Sequence, residues 1–228
     1  MKNKEQEIID MILEMKKLGY PDEKIVEDFE TKLLKLHNLK LSQFFPVNIK
    51  GADVKAHGQV IIDSEDLEEN YEFATHVKGA DVKAHGMVIA NSGNLLYNYK
   101  FARDAKGADT WAHEQVILDS KNLEYNYIFA RDVKKANVRA HGKVIIDSGD
   151  LEYNYKFAKD VKRANVRAHG QVIINSGSIE YNEKFKLIEG SDIDAHVAAI
   201  NNTKIQKCKE SLNECLDSMI KEKVKVKK

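Results

Sequence analysis

Apolar and polar positions along this chain repeat in blocks of 28 residues. In the block from Asp53, the segment Val54 to Asp63 places Val54, Val60, Ile61 and Ile62 on one arc at 100° per residue. Lys55, Gln59 and Asp63 fall opposite. The next segment, Leu67 to His76, sets Leu67, Tyr71, Phe73 and Ala74 on the face of Val77 and turns Glu68, Glu72 and Thr75 outward. Each block therefore predicts two short amphipathic helices. The caps agree. Asp66, Asn94, Asn122, Asp150 or Ser178 precedes the second helix, and Asp53, Asp81, Asp109, Asn137, Asn165 or Asp192 precedes the first. Ser-Gly at Ser92-Gly93, Ser148-Gly149 and Ser176-Gly177 reads as a helix stop. The rival is a strand, because L-E-Y-N-Y-K-F alternates apolar and polar. The first half of the block does not alternate, and the helical reading accounts for both caps.

The blocks begin at Ile49, Val77, Ala105, Val133 and Val161, with a truncated sixth at Glu189, and their histidines His57, His85, His113, His141 and His169 keep the spacing without a slip. A fixed period of this size marks a repeat architecture. Two short helices cannot bury their apolar faces alone, so copies must stack. The expected fold is all-α, a right-handed α-solenoid of five to six two-helix repeats with capping helices at both ends. The expected divisions are an N-terminal helical hairpin cap over 1–48, repeats over 49–200, and a C-terminal capping helix with a basic tail over 201–228. The block resembles the HEAT-like class of α-solenoids with an unusually short repeat. More narrowly, Ser148 to Asn165 is similar to a repeat of bacterial and phage proteins. That resemblance implies a fold and little about activity.

Outside the repeats, Ile8, Ile9, Ile12, Leu13 and Met15 predict one helix stopped at Gly19. Pro21 opens a second that runs through Ile25, Phe29, Leu33 and Leu36. Asp22, Glu23, Glu27 and Asp28 on that second helix argue against contact with DNA phosphates. At the far end Ile205, Cys208, Leu212, Cys215 and Met219 recur at 3-4-3-4 spacing, as a cap or as the seam of a coiled-coil homodimer; the cap is the expectation. The two cysteines lie about 10 Å apart on one helix face, too far for a bridge. Lys221, Lys223, Lys225, Lys227 and Lys228 form the tail.

Charge and chemistry change this picture little. The chain balances 36 basic against 36 acidic residues, so its total implies no polyanion. The lack of a long apolar run argues against a membrane span and for a cytoplasmic protein. No P-loop, nucleophile elbow or H-E-x-x-H occurs, so no enzyme and no cofactor are expected. One histidine per layer cannot share a metal ion, because stacked helices lie about 8–10 Å apart. Those histidines fall inside the apolar arc, as do Asn70, Asn98, Asn126, Asn154 and Asn182. A buried structural ladder is the expected role, with stability lost below the imidazole's usual value of about 6.5.

Function in such an array belongs where units differ. Unit three carries Trp111 where the others carry Lys55, Lys83, Arg139 and Arg167, Glu114 where they carry Gly, and Ile128 where they carry Glu or Lys. The first unit is acidic and the fifth basic, and Lys135, Arg139, Lys143, Arg163 and Arg167 recur in the fourth and fifth. The expectation is a non-enzymatic scaffold or inhibitor of a host or defence enzyme, binding a protein through Trp111, Glu114, Ile128 and these cations. The alternative is a nucleic-acid-binding solenoid that uses the basic stripe.

Overall fold

A computed structural model describes residues 4–226, with side chains described over 4–219. The tail lysines Lys221, Lys223, Lys225, Lys227 and Lys228 thus have side chains outside the described residues. Among the described residues there is no strand. L-E-Y-N-Y-K-F is helical, because its Asn and Phe positions face the core together at helical spacing.

The helices in order are α1 (Lys4–Lys17), α2 (Asp22–Ile25), a π-helical turn (Val26–Glu30), α3 (Thr31–Leu34), α4 (Leu39–Asn48), α5 (Val54–Asp63), α6 (Leu67–His76), α7 (Val82–Asn91), α8 (Leu95–Asp104), α9 (Thr110–Ser120), α10 (Leu123–Asp132), α11 (Val138–Ser148), α12 (Leu151–Asp160), α13 (Val166–Ser176), α14 (Ile179–Phe185) and α15 (Ile193–Val226). They group into two compact units. One comprises residues 1–120 with Val133–Ala136, and the other residues 121–132 with 137–228. In both, the second helix of each repeat packs most extensively on the first helix of the next: α6 on α7 and α8 on α9 in one unit, α10 on α11 and α12 on α13 in the other. This sequential packing is that of an all-α solenoid.

The caps are formed where the sequence places them. Asp53 accepts from the Ala56 amide at 2.9 Å, Asp66 from Glu69 at 3.0 Å and Asn94 from Tyr97 at 3.1 Å. At the end of each first helix the serine hydroxyl donates back to the carbonyl three residues earlier, as Ser64 does to Ile61 at 2.7 Å.

The N-terminal region is more than a hairpin. The helix expected from Pro21 breaks after Leu34, and a further helix, α4, follows. Twenty-eight residues separate Asn38, Leu39, Ser42, Phe45 and Ile49 from Asp66, Leu67, Asn70, Phe73 and Val77. Asn38 caps α4 through the Leu41 amide at 2.9 Å, and Ser42, Phe45 and Ile49 are buried. So α4 is the second helix of a degenerate repeat that precedes the first recognisable one. It seats the core Ile9, Ile12, Ile25, Leu33 and Leu41 beneath the first full layer.

The glycine of each first helix is set by close approach. A Cβ on Gly86 would sit 2.9 Å from Phe101 Cε1 and 3.3 Å from His113 Nε2. Both rings are fully or almost fully buried and cannot swing away. Replacing a helical glycine with alanine ordinarily stabilises by about 1 kcal/mol. Here overpacking of about 1–3 kcal/mol opposes that gain. Gly86→Ala is therefore expected to lower the urea midpoint, and a raised midpoint would contradict the packing.

Candidate functional site

Each layer is held by one polar unit. Asn70 donates through Nδ2 to the carbonyl of Ile61 in its own first helix at 3.0 Å and to the carbonyl of Asp66 at 2.8 Å. Its Oδ1 lies 2.8 Å from Nδ1 of His85, on the first helix of the next repeat. Carbonyls only accept, so both Nδ2 hydrogens are committed and Oδ1 must accept. His85 therefore carries its hydrogen on Nδ1. The same contact joins Asn98 to His113 at 2.7 Å, Asn126 to His141 at 2.7 Å, Asn154 to His169 at 2.8 Å and Asn182 to His196 at 2.7 Å. The imidazole also packs on the phenylalanine of the preceding repeat, with centroids 5.0 Å apart for Phe73 and His85 and 4.8 Å for Phe157 and His169. Its Nε2 lies over the helical glycine, and in His85 and His169 that atom has no hydrogen-bond partner.

Burial pushes these imidazoles down, and nearby carboxylates such as Asp53, Asp81 and Asp109 offset it only in part. His57, His85, His113 and His169 fall to about 4, and His196 is lowered in the same sense. His57 differs, because Ser42 replaces the asparagine. Neither of its ring nitrogens makes a hydrogen bond, and Nε2 lies 3.4 Å from Glu30 Oε1, a contact too long and poorly aligned to count as one. Glu30 occupies the glycine position of the degenerate repeat and accepts from the Asp53 amide at 2.7 Å. Burial raises its carboxyl.

The ladder is spread over the layers, whereas the exposed differences are local. Trp111 stands on the outer face of α9 with 67 % of its surface exposed, at a position that is Lys or Arg in the other full repeats. Two expected contact residues are placed otherwise. Glu114 is only 5 % exposed, because the helical-glycine position faces the layer interface rather than solvent. Ile128 is half-buried and packs against the core of Tyr127, Ile145 and Phe157, so it extends that core rather than an apolar surface patch. Neither is offered to solvent as Trp111 is.

The structure brings three of the five cations together. Arg139, Lys143 and Arg163 line a cleft of about 540 Å³ whose floor includes Gly142 and His169. Lys143 is tied to Asp147 at 2.6 Å. Arg139 and Arg163 have no ion-pair partner among the described residues. Arg167 is exposed but does not line the cleft, and Lys135 is exposed in the other compact unit. No family model, no curated protein and no solved structure matches this chain. The reading of its surface therefore rests on its own residues.

One of those residues carries a signal that sequence reasoning missed. Arg163 has φ +66°, at the turn position where earlier repeats place Gly51, Gly79 and Gly107 at +90° to +95°. A side chain in that conformation costs on the order of 1 kcal/mol. The signal was available as an arginine in phase with three glycines. Among the described residues no helix is long and apolar enough to cross a membrane, and no group of three or more potential metal ligands converges.

Proposed function

We propose that the chain is a non-enzymatic cytoplasmic scaffold that binds a protein partner, with Trp111 as its anchor. The exposed indole carries this reading. An exposed indole keeps a large apolar area for a partner to cover, and tryptophan buried at an interface concentrates binding energy. Trp111 replaces a cation that the other full repeats carry at this position. The HEAT-like and phage-repeat resemblance belongs to this proposal, as does action by occlusion of a host or defence enzyme.

The test is capture of a partner by the full chain, followed by affinity measurement with Trp111→Ala. The side chain is largely outside the core, so the variant should melt with the parent while affinity falls by about thirtyfold, the loss of roughly 2 kcal/mol expected of a central aromatic anchor. Unchanged affinity would remove Trp111 from the interface.

The cleft of Arg139, Lys143 and Arg163 favours a second reading, binding of nucleic acid. The two unpaired guanidiniums, one of them held at a conformational cost, suit phosphate oxygens. Binding through them should weaken steeply between about 50 and 200 mM salt as counterions are released. A mobility shift on mixed DNA and RNA with Arg139→Glu and Arg163→Glu decides it. Binding that is lost in these variants and steep in salt supports the second reading, and its absence leaves the first.

A further inference from the structure

The last helix outruns the layer it completes. His196, Ile200 and Thr203 make the capping contacts, with His196 bonded to Asn182 at 2.7 Å, Ile200 buried and the Thr203 hydroxyl donating to the Gly177 carbonyl at 3.0 Å. From Lys204 to Met219 every residue is exposed, so the segment expected to cap covers nothing in its own chain among the described residues. The reason is length: a first helix of 10 or 11 residues completes a layer, and α15 runs to 34.

Within the repeats the apolar exposure is local. Among the described residues of the first helices α5, α7, α9, α11 and α13, Met87 and Trp111 alone are exposed large hydrophobics, at 56 % and 67 %. Met87 stands where the other full repeats carry Gln59, Gln115, Lys143 and Gln171, as Trp111 stands for lysine or arginine. Both changes run from polar to apolar, and they fall on neighbouring helices, because α9 packs beside α7. Trp111 is in register with Lys83, which precedes Met87 by one turn on the same helix face. A layer spacing of about 8–10 Å and a turn of about 5.4 Å put the two Cα atoms roughly 11 Å apart, within the footprint of one short peptide.

Between α5 and α7, Met87 also lines a cleft of about 700 Å³ walled by Ile62, Leu67 and Val88. The charged residues lining this cleft are Asp63 and Glu65. Asp63 accepts from the Gln59 amide at 2.6 Å, and neither carboxylate has an ion-pair partner among the described residues. The cleft lies at the carboxyl ends of α5 and α7, where the helix dipoles add negative potential. Lys83 is exposed one turn away and does not line it. Charge complementarity then selects the occupant. We propose that the partner anchored by Trp111 presents a basic, apolar segment. A large apolar side chain of that segment covers Met87 and Trp111, and a neighbouring lysine or arginine enters the cleft at Asp63 and Glu65. The proposal rests on the Trp111 reading and adds to it the class of segment bound and a second anchor, Met87.

Trp111 is the chain's single tryptophan, so its fluorescence reports its own cover. The probe is a phage library of random tryptophan-free dodecapeptides selected on the full chain, with the best binder then synthesised. Selected sequences should pair a large apolar residue with lysine or arginine, and the synthetic peptide should move Trp111 emission to shorter wavelength as the indole leaves water. Three variants use residues that another layer already carries, so each should melt with the parent: Trp111→Arg as at Arg139, Met87→Gln as at Gln59, and Glu65→Lys as at Lys121. By calorimetry, Trp111→Arg should weaken the peptide about thirtyfold and Met87→Gln about tenfold. Glu65→Lys should weaken it about tenfold at low salt and less at high salt. A selection that yields acidic peptides, or none, overturns the proposal, as does a peptide indifferent to Met87→Gln or to Glu65→Lys. If Trp111→Arg alone weakens binding, the Trp111 anchor stands and this segment falls. If none of the variants does, both fall.

Discussion

Asn154→Ala should cost about 4 kcal/mol of stability, a large share of what a chain of this size possesses. The side chain is fully buried and donates to the carbonyls of Ile145 at 3.0 Å and Asp150 at 2.7 Å while accepting from His169 at 2.8 Å. Truncation leaves the His169 Nδ1–H without its acceptor inside the core and takes one donor from each carbonyl. Each buried group left unmet costs roughly 1–3 kcal/mol. The Ile145 carbonyl still accepts from Ser148 at 2.7 Å, which limits the loss there. Because Asn154 and His169 act as one unit, Asn154→Ala with His169→Ala should cost less than the two single losses added, by about 1–3 kcal/mol. Urea melts of the four proteins measure this. A loss under about 1 kcal/mol for Asn154→Ala would show that the bonds contribute little.

Acid should unfold the chain through the same histidines. A group whose folded value is depressed binds its proton more readily when unfolded, so acid favours the unfolded state. His57, His85, His113 and His169 stand at about 4 when folded, against about 6.5 unfolded. Their contribution is complete above about 6.5 and is lost progressively as pH falls toward about 4. At pH 5 each has lost on the order of 2 kcal/mol. Four together lose about 7 kcal/mol, and His196 adds in the same direction. The carboxyls of Glu30 and Glu69, raised by burial, act in the opposite sense and are outnumbered. The urea midpoint should therefore fall steeply between pH 7 and pH 5. A flat midpoint across that window would mean the imidazoles are not held neutral.

How much of this was legible in the sequence depended on whether the period survived. In the full repeats, apolar arcs and cap residues recur together, so helix identity and ends could be read directly. The pairing of Asn with the next layer's His could be suspected, because both interrupt apolar arcs; the donor that fixes the tautomer could not, because it depends on two carbonyls in different segments. The degenerate repeat at Leu39–Asn48 was hidden, since Ser42 stands for the asparagine and Phe29 falls where His57 would repeat. The sixth repeat drops one residue, which moves its histidine to His196 and still preserves the bond to Asn182. Glu114 misled because a charged side chain in place of glycine reads as a surface change, while the glycine position faces the next layer. The exposure of Lys204 to Met219 on α15 is not legible, because a 3-4-3-4 stripe looks the same in sequence whether or not its own chain covers it.

The most direct measurement is nitrogen-15 NMR of the histidine side chains at pH 7. The ladder requires His85, His113, His169 and His196 to be neutral and to carry the hydrogen on Nδ1, leaving Nε2 bare over the helical glycine. Imidazolium forms, or hydrogens on Nε2, would mean that asparagine and histidine do not join one layer to the next.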